Sequence, residues 1–423
     1  MKKKRAVILG AGISGLSAAH ALMKTHDVVV LERTKRAGGW LETICEKGFL
    51  FETGPRTFRS SNSQHLLALV EELGLQDQCI FSDPQAEKRY LLFQGQLEKI
   101  PKHPVGFLFS PILRGMWSGL LTEWKKPVVE EEETVWDFAK RRFGVNAAER
   151  FFDALSLGVY AADSRSLSVD AAFPQLKTME KEHGSITRAI LHSKRKKHGS
   201  ALFSFQKGTQ ALIDALTNRL GERLCLHQEV QALYKEKEFF EIRTVHNCFQ
   251  ADIVVIALPP HEAGRVLEQL APAAAKRLRD IAMTSLSMVQ LGYDSEVLPK
   301  KGFGYLVPSI EKLPIYGVMF DSCIFPSQNE GRQTRLTVMM PPLENAKETA
   351  LSMIHQHLGI DILPNYSREV SLIDAIPLPR IGHAKNIKAI QEQLGPNLFL
   401  AGNYLQGVSV NDCIARCLFS KCL

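Results

Sequence analysis

The sequence predicts a mixed fold, α/β in one part and α+β in the other, and three observations lead to this prediction. A buried strand, a glycine-rich turn and a helix open the chain, and a second strand–turn–helix closes it. The region between them contains one helix-rich segment and several runs that alternate like strands. Together these patterns predict a discontinuous Rossmann-like domain, a mixed-sheet domain and a helical domain.

The opening motif reads "AVILGAGISG" and joins a strand to three spaced glycines. The apolar run from Ala6 to Leu9 is typical of a central parallel strand. Gly10, Gly12 and Gly15 follow with the spacing G-x-G-x-x-G. The first glycine permits a tight turn, the second lets the backbone approach a pyrophosphate, and the third lets helix and strand pack closely. The start of the helix adds a partial positive charge that favours phosphate.

A second strand, Val28 to Leu31, ends at Glu32, seventeen residues after Gly15. A carboxylate at this place accepts hydrogen bonds from a ribose in dinucleotide-binding domains. Strand, glycines, helix, strand and acid therefore occur in order, which predicts a dinucleotide site more strongly than the glycine spacing alone. The fingerprint by itself does not distinguish NAD from FAD.

The composition is that of a globular protein, with 45% apolar residues, 23% charged residues and a net charge of +7. The basic residues do not gather in a recognisable nucleic-acid motif, so no nucleic-acid partner is predicted. The eight cysteines include no C-x-x-C pair, and their scatter indicates reduced thiols rather than a metal site.

The longest apolar stretch runs from Val105 to Leu121 and contains Pro111 and Arg114. It is shorter than the ~20 residues that a spanning helix needs, so no transmembrane helix is predicted. Such an aromatic and leucine-rich segment can lie in a membrane interface, or it can pack as an ordinary helix on its neighbours. The sequence leaves both alternatives open.

The segment "RAGGW", Arg36 to Trp40, resembles the second signature of the amine-oxidase and desaturase flavoproteins. Those proteins bind FAD in a Rossmann-like site and complete it with a carboxy-terminal strand–turn–helix, which "AGNYLQGVSVNDCI" resembles. The resemblance implies FAD as the cofactor and places the closing segment at the flavin ring. It also implies that Val230 contacts the adenine through its backbone, whereas the residue type alone favours a core valine.

The resemblance and the glycine motif together give the predicted cofactor-binding residues. These are Gly10, Ala11, Gly12, Ile13, Ser14, Gly15, Glu32, Gly39, Trp40, Gly54, Pro55, Arg56, Thr57, Val230, Asn403, Val408, Ser409 and Val410. Of these residues, Arg56 is implied to lie near both FAD and the substrate.

Seven stretches, in chain order, resemble the blocks of the protoporphyrinogen oxidase family. They are "GGWLET", "FETGPRTF", "KRYLLFQGQLEKIP", "ETVWDFAKRRFG", "LGVYAADSRSLSVDAAFPQL", "GFGYLVPS" and "AGNYLQGVSVNDCI". The resemblance implies six-electron oxidation of protoporphyrinogen IX to protoporphyrin IX in haem biosynthesis, by hydride transfer to a flavin that oxygen reoxidises. The sequence leaves a quinone or another acceptor open. No residue stands out as a catalytic acid or base, and none is predicted.

The same resemblance implies three domains. They are a FAD-binding domain (1–75, 197–265 and 390–423), a substrate-binding domain (80–103 and 266–389) and a helical membrane-associated domain (104–196). The predicted location is the cytoplasm, with peripheral association to the inner membrane. A homodimer is left open.

A porphyrinogen is a large apolar macrocycle with carboxylates, and a pocket for it needs apolar walls and a few cations. Arg89 in "KRYLLF" is the predicted cation, because strand alternation puts it on the same face as Leu91 and Phe93. Arginine can pair with a propionate through two hydrogen bonds. The other predicted substrate-binding residues are Gly158, Phe303, Leu306 and Met339.

At one position the sequence departs from the family pattern. Where the family often carries a basic residue before the glycine of "GVYA", this chain has Leu157. We therefore predict no second substrate-binding cation at that position.

Three other functions are alternatives for this sequence. A coproporphyrinogen oxidase of the same fold would act on a more carboxylated ring. A general FAD amine oxidase or desaturase usually lines its flavin with an aromatic cage, and Tyr404 is the only aromatic residue in "AGNYLQGVSVND". A flavin-free lipid carrier would not need the closing segment around Val408 to Val410.

Overall fold

The structure is a computed structural model that describes residues 3–101, 110–113, 116–192 and 201–417. Its architecture combines parallel and mixed sheets with helices, so the predicted mixed fold is confirmed. Parts of the predicted apolar segment from Val105 to Leu121, and the last residues of the predicted 390–423 segment, lie outside the described residues.

The strands are short, apart from two long ones in the largest sheet. In chain order they are Arg5–Leu9 (β1), Asp27–Leu31 (β2), Thr43–Glu46 (β3), Phe49–Glu52 (β4), Phe58–Arg59 (β5), Cys79–Phe81 (β6), Arg89–Phe93 (β7), Gln96–Lys99 (β8), Leu202–Phe205 (β9), Leu224–Cys225 (β10), Val230–Lys235 (β11), Phe240–Thr244 (β12), Cys248–Ala251 (β13), Ile253–Ile256 (β14), Met283–Tyr293 (β15), Gly304–Leu306 (β16), Gly317–Met319 (β17), Thr334–Met340 (β18), Tyr366–Pro377 (β19) and Leu398–Leu400 (β20).

The helices connect these strands and fill the segment between residues 117 and 192. The α-helices are Ile13–Leu22, Gln64–Leu73, Trp117–Thr122, Val135–Phe143, Val145–Ala147, Asp153–Tyr160, Val169–Ala172, Pro174–His183, Ile186–His192, Gln210–Leu220, Pro260–Leu267, Pro272–Arg279, Asp321–Ile324, Ala346–Leu358, His383–Glu392 and Val410–Arg416. A π-helical turn, Ala148–Phe152, precedes the helix Asp153–Tyr160.

A five-stranded parallel sheet with the order β10-β2-β1-β14-β20 draws on both ends of the chain. Apart from the exposed Arg5, its central strands β1 and β14 are apolar and buried, because helices cover one face and helices together with β11–β13 cover the other. The strand predicted before the closing turn, β20, pairs with β14, which in turn pairs with β1. The two termini therefore meet in one sheet, which is why a strand–turn–helix closes the chain.

A seven-stranded mixed sheet with the order β19-β15-β18-β17-β16-β7-β8 forms the second large unit. One face packs against the helix Ala346–Leu358 in a core that contains Tyr305 and Val338. The alternate residues of the same strands point to the other face. That second face carries the predicted substrate-binding residues Leu306 and Met339.

The helical segment is held together by a buried group of charges. Arg142 is fully buried and donates to Glu180 over 2.8 Å and to Glu123 over 3.2 Å. Hydrogen bonds from neighbouring groups, such as the Ser185 hydroxyl, outweigh burial and lower the pKa of Glu123. Within the described residues, no helix combines the length and the apolarity that a membrane crossing requires.

Candidate functional site

A cleft of about 510 Å³ opens at the carboxyl end of the parallel sheet. This is the edge at which open α/β sheets bind their ligands, and the volume is in the range of cofactor sites. Twelve of the eighteen predicted cofactor-binding residues line it: Gly10, Gly12, Ile13, Ser14, Glu32, Gly39, Trp40, Pro55, Val230, Asn403, Val408 and Val410. The cleft is thus assembled from both ends of the chain and from its middle.

The three glycines of the opening motif have different surroundings. A Cβ atom on Gly12 would meet no atom within 4 Å, so this glycine faces open space in the cleft. A Cβ atom on Gly15 would lie 1.9 Å from the carbonyl oxygen of Gly10. Gly10 itself has φ +97°, a conformation that favours glycine. Gly12 therefore leaves room for a ligand, whereas Gly15 and Gly10 are required by the protein's own packing.

The first helix begins at the cleft without a side-chain cap. Gly12 is its N-cap residue and makes no side-chain hydrogen bond to the first turn. Ile13 and Ser14, the first two helical residues, line the cleft. The helix dipole and the first-turn amides are therefore directed towards a bound anion such as a pyrophosphate.

Glu32 lies at the end of β2, as the sequence predicted. Its carboxylate accepts hydrogen bonds from the Ala11 amide (2.9 Å) and from the Thr34 amide and hydroxyl (both 2.9 Å). These contacts fix the orientation of the side chain. A carboxylate has about four acceptor positions, so Glu32 can still accept a hydrogen bond from a ribose in the cleft.

The closing segment covers the opposite side of the cleft. Asn403 donates its side-chain amide to the carbonyl of Ala375 over 3.2 Å, which ties the segment to β19. Val410 begins the final helix, and Ser409 is its N-cap, accepting a hydrogen bond from the Asp412 amide over 3.1 Å. A second helix start is thereby directed at the cleft, where it favours negative charge on a ligand.

Six predicted cofactor-binding residues do not line the cleft: Ala11, Gly15, Gly54, Arg56, Thr57 and Ser409. Most of them support it instead, since Ala11 holds Glu32 and Ser409 caps the final helix. Gly54 is required because a Cβ atom there would lie 2.0 Å from the carbonyl oxygen of Trp40. Whether any of them contacts a bound cofactor stays a prediction.

Arg56 is buried and joins the two-stranded sheet β3-β4 to the seven-stranded sheet. Its guanidinium forms an ion pair with Asp321 at 2.9 Å and donates to the Thr337 hydroxyl at 2.6 Å and to the Glu52 carbonyl at 3.2 Å. We call these four residues the seam. The side chain predicted to serve FAD and substrate is thus engaged in holding β4 against β18.

The Glu52 carboxylate ties the seam to β3 and to the start of the helix Gln210–Leu220. It accepts hydrogen bonds from the Thr209 amide at 2.8 Å and from the Thr43 hydroxyl at 3.0 Å. Burial nevertheless raises the pKa of Glu52, because desolvation of the charge outweighs these bonds.

Several cleft residues were not predicted from the sequence. Arg36 donates to the carbonyls of Gly39 (2.6 Å) and Ala37 (3.0 Å) and so shapes the loop around the glycines. Asp374 and Ala375 reach the cleft from the far end of β19. Only the positive φ of Asp374, +47°, marks it as unusual, and no local motif announces this conformation.

The second face of the seven-stranded sheet carries a row of apolar residues. Strand pairing aligns Met288 with Met339, Met339 with Gly317, Gly317 with Leu306, and Leu306 with Leu91. Residues paired in this way point to the same face. We call this row the apolar sheet face. It brings together the predicted residues Leu306 and Met339.

Gly158 lies on the helix Asp153–Tyr160, which packs over this face. A Cβ atom on Gly158 would come within 2.6 Å of the Leu306 side chain. The glycine therefore allows close approach of the helix to the sheet. Two predicted substrate-binding residues thus contact each other, one from the helix and one from the sheet.

Arg89 begins β7 and lies two residues before Leu91, on the same face. Its guanidinium stacks on the ring of Phe303, 4.6 Å from the centroid, so these two predicted residues are also together. The side chain is exposed to solvent. Partial desolvation by neighbouring atoms and, second to it, the positive charge of Arg59 lower the pKa of Arg89.

Comparison with known proteins identifies the family of this chain. The model of the family described as flavin containing amine oxidoreductase matches residues 13–416. The chain belongs to this family. It is therefore a flavoprotein, and the FAD cofactor predicted from the sequence is confirmed.

Within this family, the chain is similar to several proteins of established name. Protoporphyrinogen oxidase from Macaca fascicularis is 32% identical over 457 residues, which cover 96% of this chain and 95% of the relative. The protein of that name from Homo sapiens has the same identity and coverage. The chloroplastic protoporphyrinogen oxidase of Oryza sativa is 28% identical, over 96% of this chain and 85% of its own. The resemblance to protoporphyrinogen oxidases found in the sequence is confirmed.

Solved structures share the fold. A provisionally named protoporphyrinogen oxidase from Exiguobacterium superposes with a TM-score of 0.86 at 24% identity, covering 99% of this chain and 98% of that one. Cyclohexylamine oxidase from Brevibacterium oxydans gives 0.73 at 16% identity, with complete coverage of both chains. At such identities the similarity establishes the architecture alone.

The residues of the cleft fit FAD. Open space at Gly12, two helix starts and the Glu32 carboxylate meet the needs of a pyrophosphate, a ring system that carries negative charge, and a ribose. Among the described residues, no cluster of three or more His, Cys, Asp or Glu is arranged to hold a metal ion.

Proposed function

We propose that this flavoprotein oxidises protoporphyrinogen IX to protoporphyrin IX in porphyrin and haem biosynthesis. The observation that supports this proposal most directly is the meeting of the cleft with the apolar sheet face. Ala375 lines the cleft and also packs in one buried cluster with Met288, against which Met339 lies. An apolar macrocycle held on this face would therefore reach the cofactor without crossing polar surface.

Bound FAD supplies the chemistry, because a flavin can accept a hydride and the six-electron oxidation then takes three rounds. The protein's own residues bind and orient the macrocycle. Leu306 and Met339, which are only partly buried, provide an apolar surface, and Gly158 lets the covering helix approach it. Arg89 pairs with a substrate carboxylate. No side chain is assigned as an acid or base.

The test is turnover of two porphyrinogens by purified protein with its flavin bound. Porphyrin fluorescence is followed with protoporphyrinogen and, separately, with coproporphyrinogen, while oxygen consumption is recorded. We expect rapid oxidation of protoporphyrinogen with oxygen as the acceptor. Preference for coproporphyrinogen, or oxidation no faster than in flavin-free protein, would refute the proposal.

We further propose that the protein is cytoplasmic and binds peripherally to the inner membrane through its helical segment. Leu121, Trp124 and Leu191 are exposed, at 69%, 46% and 78% of their surface. The cations of Lys125 and Arg188 lie over the Trp124 ring. Exposed aliphatic and indole groups beside cations are typical of surfaces that enter an anionic membrane interface.

The membrane proposal is tested with sedimenting vesicles that contain anionic lipid. Wild-type protein should sediment with them, and high salt should release only part of it, since salt screens charge and not apolar burial. The double variant Trp124→Ala/Leu191→Ala should bind several-fold more weakly. Leu363→Ala, which removes a side chain exposed elsewhere, is the control. Equal binding of both variants would contradict the proposal.

A further inference from the structure

Asp153 is a buried carboxylate at the start of the helix Asp153–Tyr160, which covers the apolar sheet face. Its Oδ2 atom accepts a hydrogen bond from the Ser309 amide over 2.9 Å. Its Oδ1 atom accepts a longer one, 3.4 Å, from the Ser164 hydroxyl. A buried charge needs such hydrogen bonds to offset its loss of hydration, so these two donors fix the position of the carboxylate.

Ser309 belongs to a turn that is itself attached to the seven-stranded sheet. It begins the 3₁₀ turn Ser309–Glu311, three residues after Leu306 of β16. At the other end of the turn, Glu311 accepts a hydrogen bond from the Gln94 amide over 2.9 Å, in the connection between β7 and β8. The Asp153 carboxylate therefore ties the covering helix to a fixed point of the sheet.

The rest of the contact between helix and sheet is made by small residues: Ala154, Gly158 and, directly after the helix, Ala161. Ala154 packs in one buried cluster with Leu91, and Gly158 approaches Leu306. Small side chains bury little apolar surface, so they let the helix come close but hold it weakly. The place of the helix on the sheet thus depends on a directional contact, and the Asp153 carboxylate supplies one.

We propose that Asp153 is a positioning residue of the substrate site, which holds the covering helix on the apolar sheet face through the Ser309 amide. The inference rests on the proposed function and deepens it, because a macrocycle on Leu306 and Met339 would lie against this helix. Without the bond, the helix would occupy its place for only part of the time, and the macrocycle would have to restore it on binding. Asp153 then acts on the affinity for the macrocycle and not on the flavin.

A second attachment keeps the helical segment in place when this bond is lost. The Ser168 amide donates to the Pro379 carbonyl over 2.8 Å, and the Gly382 amide donates to Glu132 over 2.9 Å. The segment also has its own hydrophobic core. A substitution at Asp153 should therefore shift the helix without unfolding the segment.

The experiment removes the bond from either end. Ser309→Pro deletes the N–H donor at the first position of a helical turn, where proline is favoured. Pro308 before it has φ −66° and ψ 149°, the extended conformation that a following proline requires. Ser309→Ala keeps the amide and is the matched control. On the acceptor side, Asp153→Ala removes the carboxylate, whereas Asp153→Asn keeps an oxygen that can accept the same hydrogen bond.

For Asp153→Ala and Ser309→Pro, we expect the KM for protoporphyrinogen to rise about 10- to 100-fold, the usual contribution of a hydrogen bond to a charged group. Flavin content and kcat per bound flavin should change little. Asp153→Asn should recover part of the loss, and Ser309→Ala should match wild type. The double variant Asp153→Ala/Ser309→Pro should be no worse than either single variant, because all three lose the same bond.

Any of three results would overturn the inference. The first is an unchanged KM in both Asp153→Ala and Ser309→Pro. The second is a pair of effects that multiply in the double variant, since the two residues would then act separately. The third is a fall in kcat or flavin content with an unchanged KM, which would leave Asp153 a purely structural role.

Failure of the proposed function would look different, because wild type would then not oxidise protoporphyrinogen at all. Hydrogen exchange of the amides in the helix Asp153–Tyr160 decides on the positioning without any substrate. Faster exchange in Asp153→Ala and Ser309→Pro, but not in Ser309→Ala, would support it. Exchange as slow as in wild type would refute it.

Discussion

The cofactor cleft and the apolar sheet face adjoin at Ala375, but they are built from different parts of the peptide chain. The cleft is shaped mainly by backbone: glycines, two helix starts and a few carbonyls. The sheet face is shaped by side chains such as Leu306 and Met339, which strand pairing aligns from remote segments. The cleft therefore depends on local backbone conformation, whereas the apolar sheet face depends on the register of strand pairing.

This difference determines how each site responds to change. In the cleft, a single added methyl group alters the volume that a ligand needs, because the backbone is itself the binding surface. On the sheet face, neighbouring side chains can adjust, and a substitution changes affinity rather than abolishing it. The seam holds β4 against β18, so a substitution there affects stability rather than one site alone.

The largest effect is expected at Gly12. Its φ of −69° suits any residue and a Cβ atom would meet nothing, so Gly12→Val should fold normally. The valine side chain would occupy the space where the pyrophosphate approaches, and the protein should purify without colour and without oxidase activity. Absorbance at the flavin bands and circular dichroism check these two outcomes.

Gly15→Ala provides the matched contrast. Its Cβ atom would lie 1.9 Å from the Gly10 carbonyl oxygen, so this variant should lose folded protein, not only flavin. A yellow Gly12→Val protein would show that the cofactor does not approach this glycine. A fully stable Gly15→Ala protein would show that the helix Ile13–Leu22 can move away from Gly10 without loss of unfolding free energy.

The contrast between local backbone conformation and strand register also explains which features could be predicted from the sequence. The glycine spacing, Glu32 and the closing segment are local patterns, and the structure places them around one cleft. Arg56 could not be interpreted locally, because its partner Asp321 is 265 residues away along the chain. Asp374 and Ala375 enter the cleft through a shift of register between β15 and β19, which no short motif encodes.

An effect of intermediate size is expected at the seam. Replacing Arg56 by methionine keeps the volume but leaves Asp321 charged and buried, which costs about 3–5 kcal/mol of unfolding free energy. Denaturant unfolding measures this loss. Arg89→Met, at an exposed arginine, should change stability by less than about 0.5 kcal/mol.

A second substitution shows whether the ion pair is the cause. In the double variant Arg56→Met/Asp321→Asn the buried charge is removed, so the combined loss should be smaller than the sum of the single losses. Strict additivity would mean that Arg56 stabilises the seam through packing and its contact with Thr337, and not through Asp321.

The smallest expected effect is a pH-dependent contribution of Glu52 to the free energy of unfolding. Burial raises the pKa of Glu52 in the folded protein above the usual glutamate value of 4.5. The folded state therefore binds its proton more tightly than the unfolded state does. The stability that this proton contributes is complete below pH 4.5 and is lost as the pH rises through the folded pKa. The slope cannot exceed about 1.4 kcal/mol per pH unit, because a single group titrates.

Glu52→Gln isolates this contribution, since the amide retains an acceptor for the Thr209 N–H and does not titrate. We expect the unfolding free energy of wild type minus that of the variant to decrease with rising pH from 4.5 and then to level off. Denaturant unfolding across that pH range gives the difference directly. A difference that increases with pH would mean that the hydrogen bonds from Thr209 and Thr43 outweigh desolvation, and that the seam holds Glu52 as a stabilised carboxylate. Pro55 lines the cleft directly before Arg56 of the seam, so flavin content measured over the same pH range should follow the stability difference.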